Sequence, residues 1–189
     1  MYGQPHKVKP NPVLTQAWRR AVLTLHVGSA VGWLGVSAGM LVLSIVGRST
    51  PDATLRHAAY AFMHDFDLAL NIPLGFLALL TGIALSVWTQ WGLFSHYWIL
   101  TKFIATIAVL VFATVFSSRW VHEATASAAS AVAAPVFTLV VLNAAGFLAT
   151  FFAMTTLSVF KPWGKTPRGK RIAVERAASA RSRGSFERR

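Results

Sequence analysis

Residues 97–116 read YWILTKFIATIAVLVFATVF, a run of twenty residues in which only Lys102 is charged. An α-helix needs about 20 mainly apolar residues to cross the hydrocarbon core of a bilayer. Residues 21–46, 68–88 and 135–160 have the same character. Unbroken apolar runs also differ from the alternating pattern of membrane β-barrel strands. The sequence therefore predicts an all-α fold, an integral membrane four-helix bundle over residues 21–160.

The composition agrees with this class. Of 189 residues, 54% are hydrophobic and 13% are charged, which is too apolar for an ordinary soluble domain. The first run is longer than the apolar region of a signal peptide, roughly 7 to 15 residues, and no small-x-small cleavage pattern follows it. We therefore predict that it is a membrane helix. The chain has no cysteine, which excludes disulfides and thiol chemistry.

The basic residues predict the orientation of the chain. Residues 1–20 carry four Lys or Arg and no acid, and residues 161–189 carry ten Lys or Arg against two acids. These two segments account for the whole formal charge of +12. Cytoplasmic segments of membrane proteins are enriched in Lys and Arg, so we expect both termini in the cytoplasm. Two cytoplasmic termini require an even number of crossings, in agreement with four spans.

The segments outside the spans carry no catalytic motif. We expect residues 1–20 to be a basic cytoplasmic arm and residues 161–189 a basic, disordered tail. The tail is expected to rest on anionic lipid headgroups of the bilayer. Nucleic acid is not an expected partner, because no aromatic residues are interleaved with the basic ones. The second span is expected to extend outward as an amphipathic helix, and residues 122–134 to form an outer loop or a short interfacial helix.

Two basic side chains lie inside the predicted spans. His26 and Lys102 each occupy the sixth position of an outward-running helix, so they share one depth near the cytoplasmic face. Ionisable side chains at such a depth usually face a protein interior or cavity. Trp33 lies on the same face as His26 and is expected to line the same pocket. The alternatives are a simple hydrogen bond for His26 and extension to the headgroups for Lys102.

A second polar cluster lies in the outer half of the second helix. His64, Asp67 and Asn71 share one helical face, which Gly75 and Gly82 continue inward. One interpretation is a hydrogen-bonded cluster near the outer headgroups. The other is a metal, haem or proton site open to the outer face, since imidazole is a common ligand and a carboxylate can orient it.

Glycines form a stripe on the first helix. Gly28, Gly32, Gly35 and Gly39 follow spacings of four, three and four residues. Small residues at this spacing let two helices approach closely in lipid. The stripe therefore predicts a close helix contact. We favour a neighbouring helix of the same chain over a second copy in a homodimer.

Several of these segments resemble one known group of membrane proteins. The runs LHVGSAVGWLG at 25–35, LTG at 80–82 and WILTK at 98–102 are similar to the first three helices of the copper-resistance protein D superfamily. The bacterial haem-containing, membrane-bound protoporphyrinogen oxidase shares this layout. The resemblance covers roughly residues 20–118. In character it lies closest to a bacterial branch of small four-helix proteins.

This resemblance implies a function. It implies a multi-pass protein of the bacterial cytoplasmic (inner) membrane that binds haem b, with His26 ligating the iron and Lys102 near a propionate or a substrate carboxylate. A redox or porphyrin-handling role follows as the first hypothesis, and no enzymatic activity is carried across. The alternative is a non-catalytic accessory or assembly subunit with a membrane protein partner. Copper or proton translocation ranks third, because no continuous polar path joins the outer cluster to Lys102.

Overall fold

The fold is helical throughout the described chain. The computed structural model describes residues 16–88, 92–129 and 135–186, and every regular element there is a helix. The helices are α1 (Gln16–Ser49), α2 (Ala53–Trp88), α3 (Tyr97–Ala126), α4 (Pro135–Phe160) and α5 (Pro167–Phe186). The first four are long and apolar enough to cross a membrane, which indicates a multi-pass membrane protein and confirms the predicted helical class. Residues 1–15 of the predicted arm lie outside the described residues.

The helices run beyond the predicted spans. α2 begins at Ala53, where the Asp52 side chain caps the helix by accepting a hydrogen bond from the Thr54 amide at 2.8 Å. α3 continues to Ala126, into the segment where an outer loop or short helix is expected. An apolar run marks only the part of a helix that lies in hydrocarbon. Polar residues that favour helix can extend it further, so apolar runs underestimate helix length.

Neighbouring helices are antiparallel. α1 packs against α2 and α4, and α3 packs against the same two helices on the other side of the bundle. The chain therefore runs up, down, up and down. The described chain begins and ends at one end of the bundle, which we name the termini end. The opposite end, which holds the α1–α2 and α3–α4 connections, is the far end.

Two apolar clusters fill the bundle. The cluster nearer the termini end includes Trp33 and Phe151, whose ring centroids lie 4.4 Å apart. The cluster nearer the far end includes Tyr60 stacked on Phe137. Many large apolar side chains also point outward, as expected for surfaces in contact with lipid, among them Val31, Val42, Leu80 and Leu142.

The glycine stripe does not form the predicted contact within the chain. A Cβ atom placed on Gly28, Gly35 or Gly39 would meet no heavy atom of another described element within 4 Å. Gly32 would meet only the Leu74 side chain, at 3.5 Å. The prediction of a close intramolecular contact is therefore wrong. The reason is that α1 buries a different face, formed by Ser29, Trp33, Ser37, Met40, Ser44 and Gly47.

The C-terminal tail differs from the expected disorder. Residues 167–186 form the helix α5, and Thr166 ties its start to the α2–α3 connection. The Thr166 amide donates to the Ser95 carbonyl at 3.0 Å, and its hydroxyl donates to the Phe94 carbonyl at 2.7 Å. Disorder is expected from charge and low aromatic content. Local helix formation depends instead on propensity and capping, which Ala, Arg and a proline at the first helical position favour.

Candidate ligand cavity

A cavity of about 460 Å³ opens between the helices at the termini end. This volume lies within the range of roughly 300 to 1,000 Å³ seen for small-molecule sites. Its walls are mainly Leu, Val, Ile and Ala side chains. His26 and Lys102 both line it, so the structure brings these two predicted site residues together.

Hydrogen bonds fix the ring of His26. Its Nδ1 atom lies 3.0 Å from the Ala78 carbonyl oxygen and 3.0 Å from Thr81 Oγ1, both on α2. A carbonyl oxygen can only accept, so Nδ1 carries the hydrogen and donates it. In the neutral ring of this tautomer Nε2 carries no hydrogen, and it makes no hydrogen bond with the described residues. The imidazole therefore keeps a free lone pair in a ring that lines the cavity.

Gly82 makes room for this ring. A Cβ atom at Gly82 would lie 3.1 Å from His26 Cε1, closer than ordinary van der Waals contact. The sequence Ala78 to Gly82 thus supplies both the carbonyl that orients His26 and the space that the ring occupies. The position of Gly82 on the inward face of the second helix is part of the predicted pattern, but its contact with His26 is not.

Lys102 is held between α3 and α4. Its ammonium donates a hydrogen bond to Ser158 Oγ at 2.6 Å and lies 5.9 Å from the centroid of the Trp98 ring. The Ser158 hydroxyl in turn donates to the Met154 carbonyl at 2.9 Å. An ammonium has three N–H donors, so Lys102 retains donors for a group in the cavity.

The charge of the cavity wall has one sign. Arg19 lies at the wall together with His26 and Lys102, and no acidic side chain lines the cavity within the described ranges. A largely apolar wall with a few basic groups suits an amphipathic ligand that carries an anionic group. The geometry therefore favours an apolar molecule with one or more carboxylates.

Trp33 does not line this cavity, contrary to the expectation. Its side chain is 4% exposed and packs against Phe151 in the apolar core. Trp33 follows His26 by seven residues, so it lies two turns, or about 10 Å, further along α1. Trp33 therefore lies on the same face of α1 as His26 but deeper in the bundle. There it belongs to the apolar core beyond the cavity.

The second predicted cluster lies elsewhere. Asp67 and Asn71 are both buried, and Asn71 Nδ2 donates to Asp67 Oδ1 at 2.7 Å. His64 is half-buried one turn toward the far end. The apolar cluster around Trp33 separates these residues from the cavity. The structure therefore joins Asp67 to Asn71 but does not join either to Lys102.

Sequence reasoning missed several contributors to the cavity. Thr81 and the Ala78 carbonyl orient His26, and Ser158 holds Lys102. Every residue has a backbone carbonyl, so the sequence does not indicate which one bonds to His26. Ser158 could have been found from depth alone, since it lies near the termini end of a helix expected to run antiparallel to that of Lys102.

Comparisons with known proteins do not test the resemblance to the copper-resistance protein D superfamily, which stays a prediction. No family model, curated protein or solved structure matches the chain. Within residues 16–88, 92–129 and 135–186, no group of three or more His, Cys, Asp or Glu side chains is placed to hold a metal ion.

Proposed function

We propose that the cavity at the termini end binds haem b, with His26 as an axial ligand of the iron, and that the protein has a redox or porphyrin-handling role. One observation carries the proposal. His26 and Lys102 come from separate helices and line one cavity, and the hydrogen bond from His26 Nδ1 to the Ala78 carbonyl leaves Nε2 as the nitrogen that could ligate a metal. A bound haem would supply one-electron redox chemistry.

The residues present fit this group. Metal-bound histidines usually donate the second ring N–H to a carbonyl or carboxylate, which fixes the tautomer, and Ala78 supplies such a carbonyl. The apolar walls suit a porphyrin ring. Lys102 and Arg19 can pair with propionate groups, since an ammonium and a guanidinium both donate charge-assisted hydrogen bonds to carboxylates.

In this site the neighbouring residues would position His26 and Lys102. Ala78 and Thr81 orient the imidazole and favour the tautomer with the hydrogen on Nδ1. Ser158 positions the Lys102 ammonium, and Trp98 lies beside it.

We also propose that the termini end faces the cytoplasm of a bacterial inner membrane. The described residues of the two basic segments, 16–20 and 161–186, lie at this end, and exposed Trp and Tyr side chains flank it: Trp18, Trp88, Tyr97 and Trp163. Trp and Tyr are enriched at membrane interfaces, and basic residues at the cytoplasmic one. In this orientation α5 rests on anionic headgroups, and the cavity opens toward the cytoplasmic leaflet.

An absorption spectrum tests the proposed function. Protein purified from haem-replete cells should show a Soret band, and its dithionite-reduced spectrum should be that of a b-type haem. His26→Ala should remove or shift this band and leave insertion intact, because the helix remains long and apolar. His122→Ala is the matched control, since His122 is exposed near the far end.

A colourless parent protein that takes up no haem on titration would contradict haem binding. The accessory or assembly subunit would then be the better hypothesis. Its test would be co-purification of a membrane protein partner with the tagged chain.

A further inference from the structure

One carboxyl group is sealed inside the bundle. Asp67 is 5% exposed, and every other acidic side chain that the structure describes is exposed. Its Oδ1 atom accepts a hydrogen bond from Asn71, which is 4% exposed. Both residues bound a π-helical turn, Asp67–Asn71, inside α2. Such wide turns are rare and frequently occur at functional sites.

Two oxygens of this pair lack a donor. Asn71 Oδ1 is buried and has no hydrogen-bond partner, while the amide nitrogen of the same side chain donates to the Asp67 carboxylate. Asp67 Oδ2 accepts no hydrogen bond from the described residues either. Two other buried donors, Trp33 Nε1 and Tyr60 Oη, are themselves unpartnered and do not reach these oxygens.

The charge of Asp67 is not balanced by the protein. In the part of the chain that the structure describes, no Lys, Arg or His forms an ion pair with it. Arg48 donates to Thr138, and Arg56 donates to the Ala128 and Thr50 carbonyls at the far end. Along α3, Arg119, His122 and Glu123 are exposed, and α4 has no charged residue. The titratable side chain that acts on Asp67 is His64, one turn away on α2.

An isolated carboxylate inside a membrane bundle is strongly unfavourable unless a positive charge accompanies it. We propose that Asp67 and Asn71 form a binding site for a monovalent cation, either a proton or Na⁺. One carboxylate balances one positive charge, and the Asn71 carbonyl adds a second oxygen. A divalent ion such as Ca²⁺ is usually bound by several carboxylates, and one carboxylate would leave half of its charge unbalanced.

The site is closed on the side of the haem cavity. On the side of the termini end, Gly75 lies against Leu110 and Trp33, where a Cβ atom would come within 2.7 Å and 2.8 Å of their side chains. This packing closes the route to the haem cavity. On the other side, one turn toward the far end, lies the half-buried His64. The cation site is therefore separate from the proposed haem site and does not depend on it.

Carbodiimide labelling tests the proposal on the unmodified chain. Dicyclohexylcarbodiimide partitions into apolar regions and reacts with protonated carboxyl groups, and peptide mass spectrometry locates the adduct. We expect selective modification of Asp67 at mildly acidic pH in the absence of Na⁺. Asp65 and Glu123 are internal controls, because both are exposed.

Varying the pH and the salt in this labelling experiment distinguishes a bound proton from bound Na⁺. If the site holds a proton, labelling slows as the pH rises and is the same in NaCl and choline chloride. If it holds Na⁺, NaCl slows labelling several-fold relative to choline chloride at the same pH. Asn71→Leu should change the labelling rate several-fold in either case, and Asp65→Asn should leave it unchanged.

The proposal is overturned if Asp67 stays unlabelled under all conditions, or if it reacts no faster than Asp65 and responds to neither pH nor Na⁺. Asp67→Asn should keep the haem spectrum of the parent. Failure at this site is therefore distinguishable from failure of the proposed haem binding.

Discussion

A single backbone carbonyl determines how His26 can act. The Ala78 oxygen lies 3.0 Å from Nδ1, which places the ring hydrogen there and leaves Nε2 for the cavity. A hydrogen bond to a neighbouring helix and ligation of a metal are alternatives when only the sequence is considered. In the structure they are compatible, because they use different nitrogens of one ring.

Lys102 provides a prediction at the scale of one residue. Lys102→Met keeps most of the stem and removes the charge, so haem should dissociate faster while the type of spectrum stays the same. The transfer of haem to apomyoglobin measures this rate. Lys165→Met is the control, since Lys165 is exposed at the same end and does not line the cavity.

The effects of Lys102→Met and His26→Ala on haem affinity should not add, because both residues serve one ligand. Additive effects in the double mutant would show that Lys102 does not act on the same bound molecule as His26. Equal dissociation rates for Lys102→Met and the parent would exclude Lys102 from the site.

At the scale of the element, α1 packs through serines, Trp33 and Gly47, and α2 contributes Gly75. Gly47 on α1 faces Tyr60, and Gly75 on α2 faces Trp33 and Leu110. A glycine is required here because its neighbour is a large ring or branched side chain. The spacing of small residues alone could not identify the contact face, since Ser29, Ser37 and Ser44 are also small and lie on the other side of α1.

A pair of glycine substitutions tests this packing. Gly75→Ala would place Cβ 2.7 Å from Leu110 Cδ2, and overpacking of this kind typically costs about 1 to 3 kcal/mol. Thermal unfolding in detergent should therefore begin at a lower temperature than for the parent. Gly35→Ala should unfold like the parent or later, because no described neighbour lies within 4 Å of its Cβ position.

If Gly35→Ala loses as much stability as Gly75→Ala, the glycine stripe faces a protein surface, and a second copy of the chain becomes the expected partner. If neither variant is less stable, α1 and α2 do not approach as closely as the structure shows.

At the scale of the whole molecule, the four apolar helices place both ends of the described chain on one side. Ala177→Cys lies on α5 and Ala129→Cys in the α3–α4 connection, at opposite ends of the bundle. Because the natural chain has no cysteine, each variant carries a single thiol. In intact cells, a membrane-impermeant maleimide should label the cysteine at 129 and spare the one at 177, since basic termini stay in the cytoplasm.

Labelling at 177 in intact cells would contradict a cytoplasmic C-terminus. Permeabilised cells supply the control, because both cysteines should then react.

The number and order of the spans could be predicted from apolar runs, because bilayer thickness sets their length. The shared depth of His26 and Lys102 was also predictable, since each residue of a helix adds the same rise. The partners of these residues on other helices were not. Trp33 shows the limit: its face could be predicted, but whether that face meets a cavity or Phe151 depends on helix packing.

Haem titration of the purified apoprotein tests haem binding by His26 most directly. The parent should bind one haem per chain with a Soret band of an axially ligated iron. His26→Gly should lose this band, and added imidazole, which can occupy the vacated space, should restore it. A parent that binds no haem, or a His26→Gly variant with the parental spectrum in the absence of imidazole, would contradict ligation by His26.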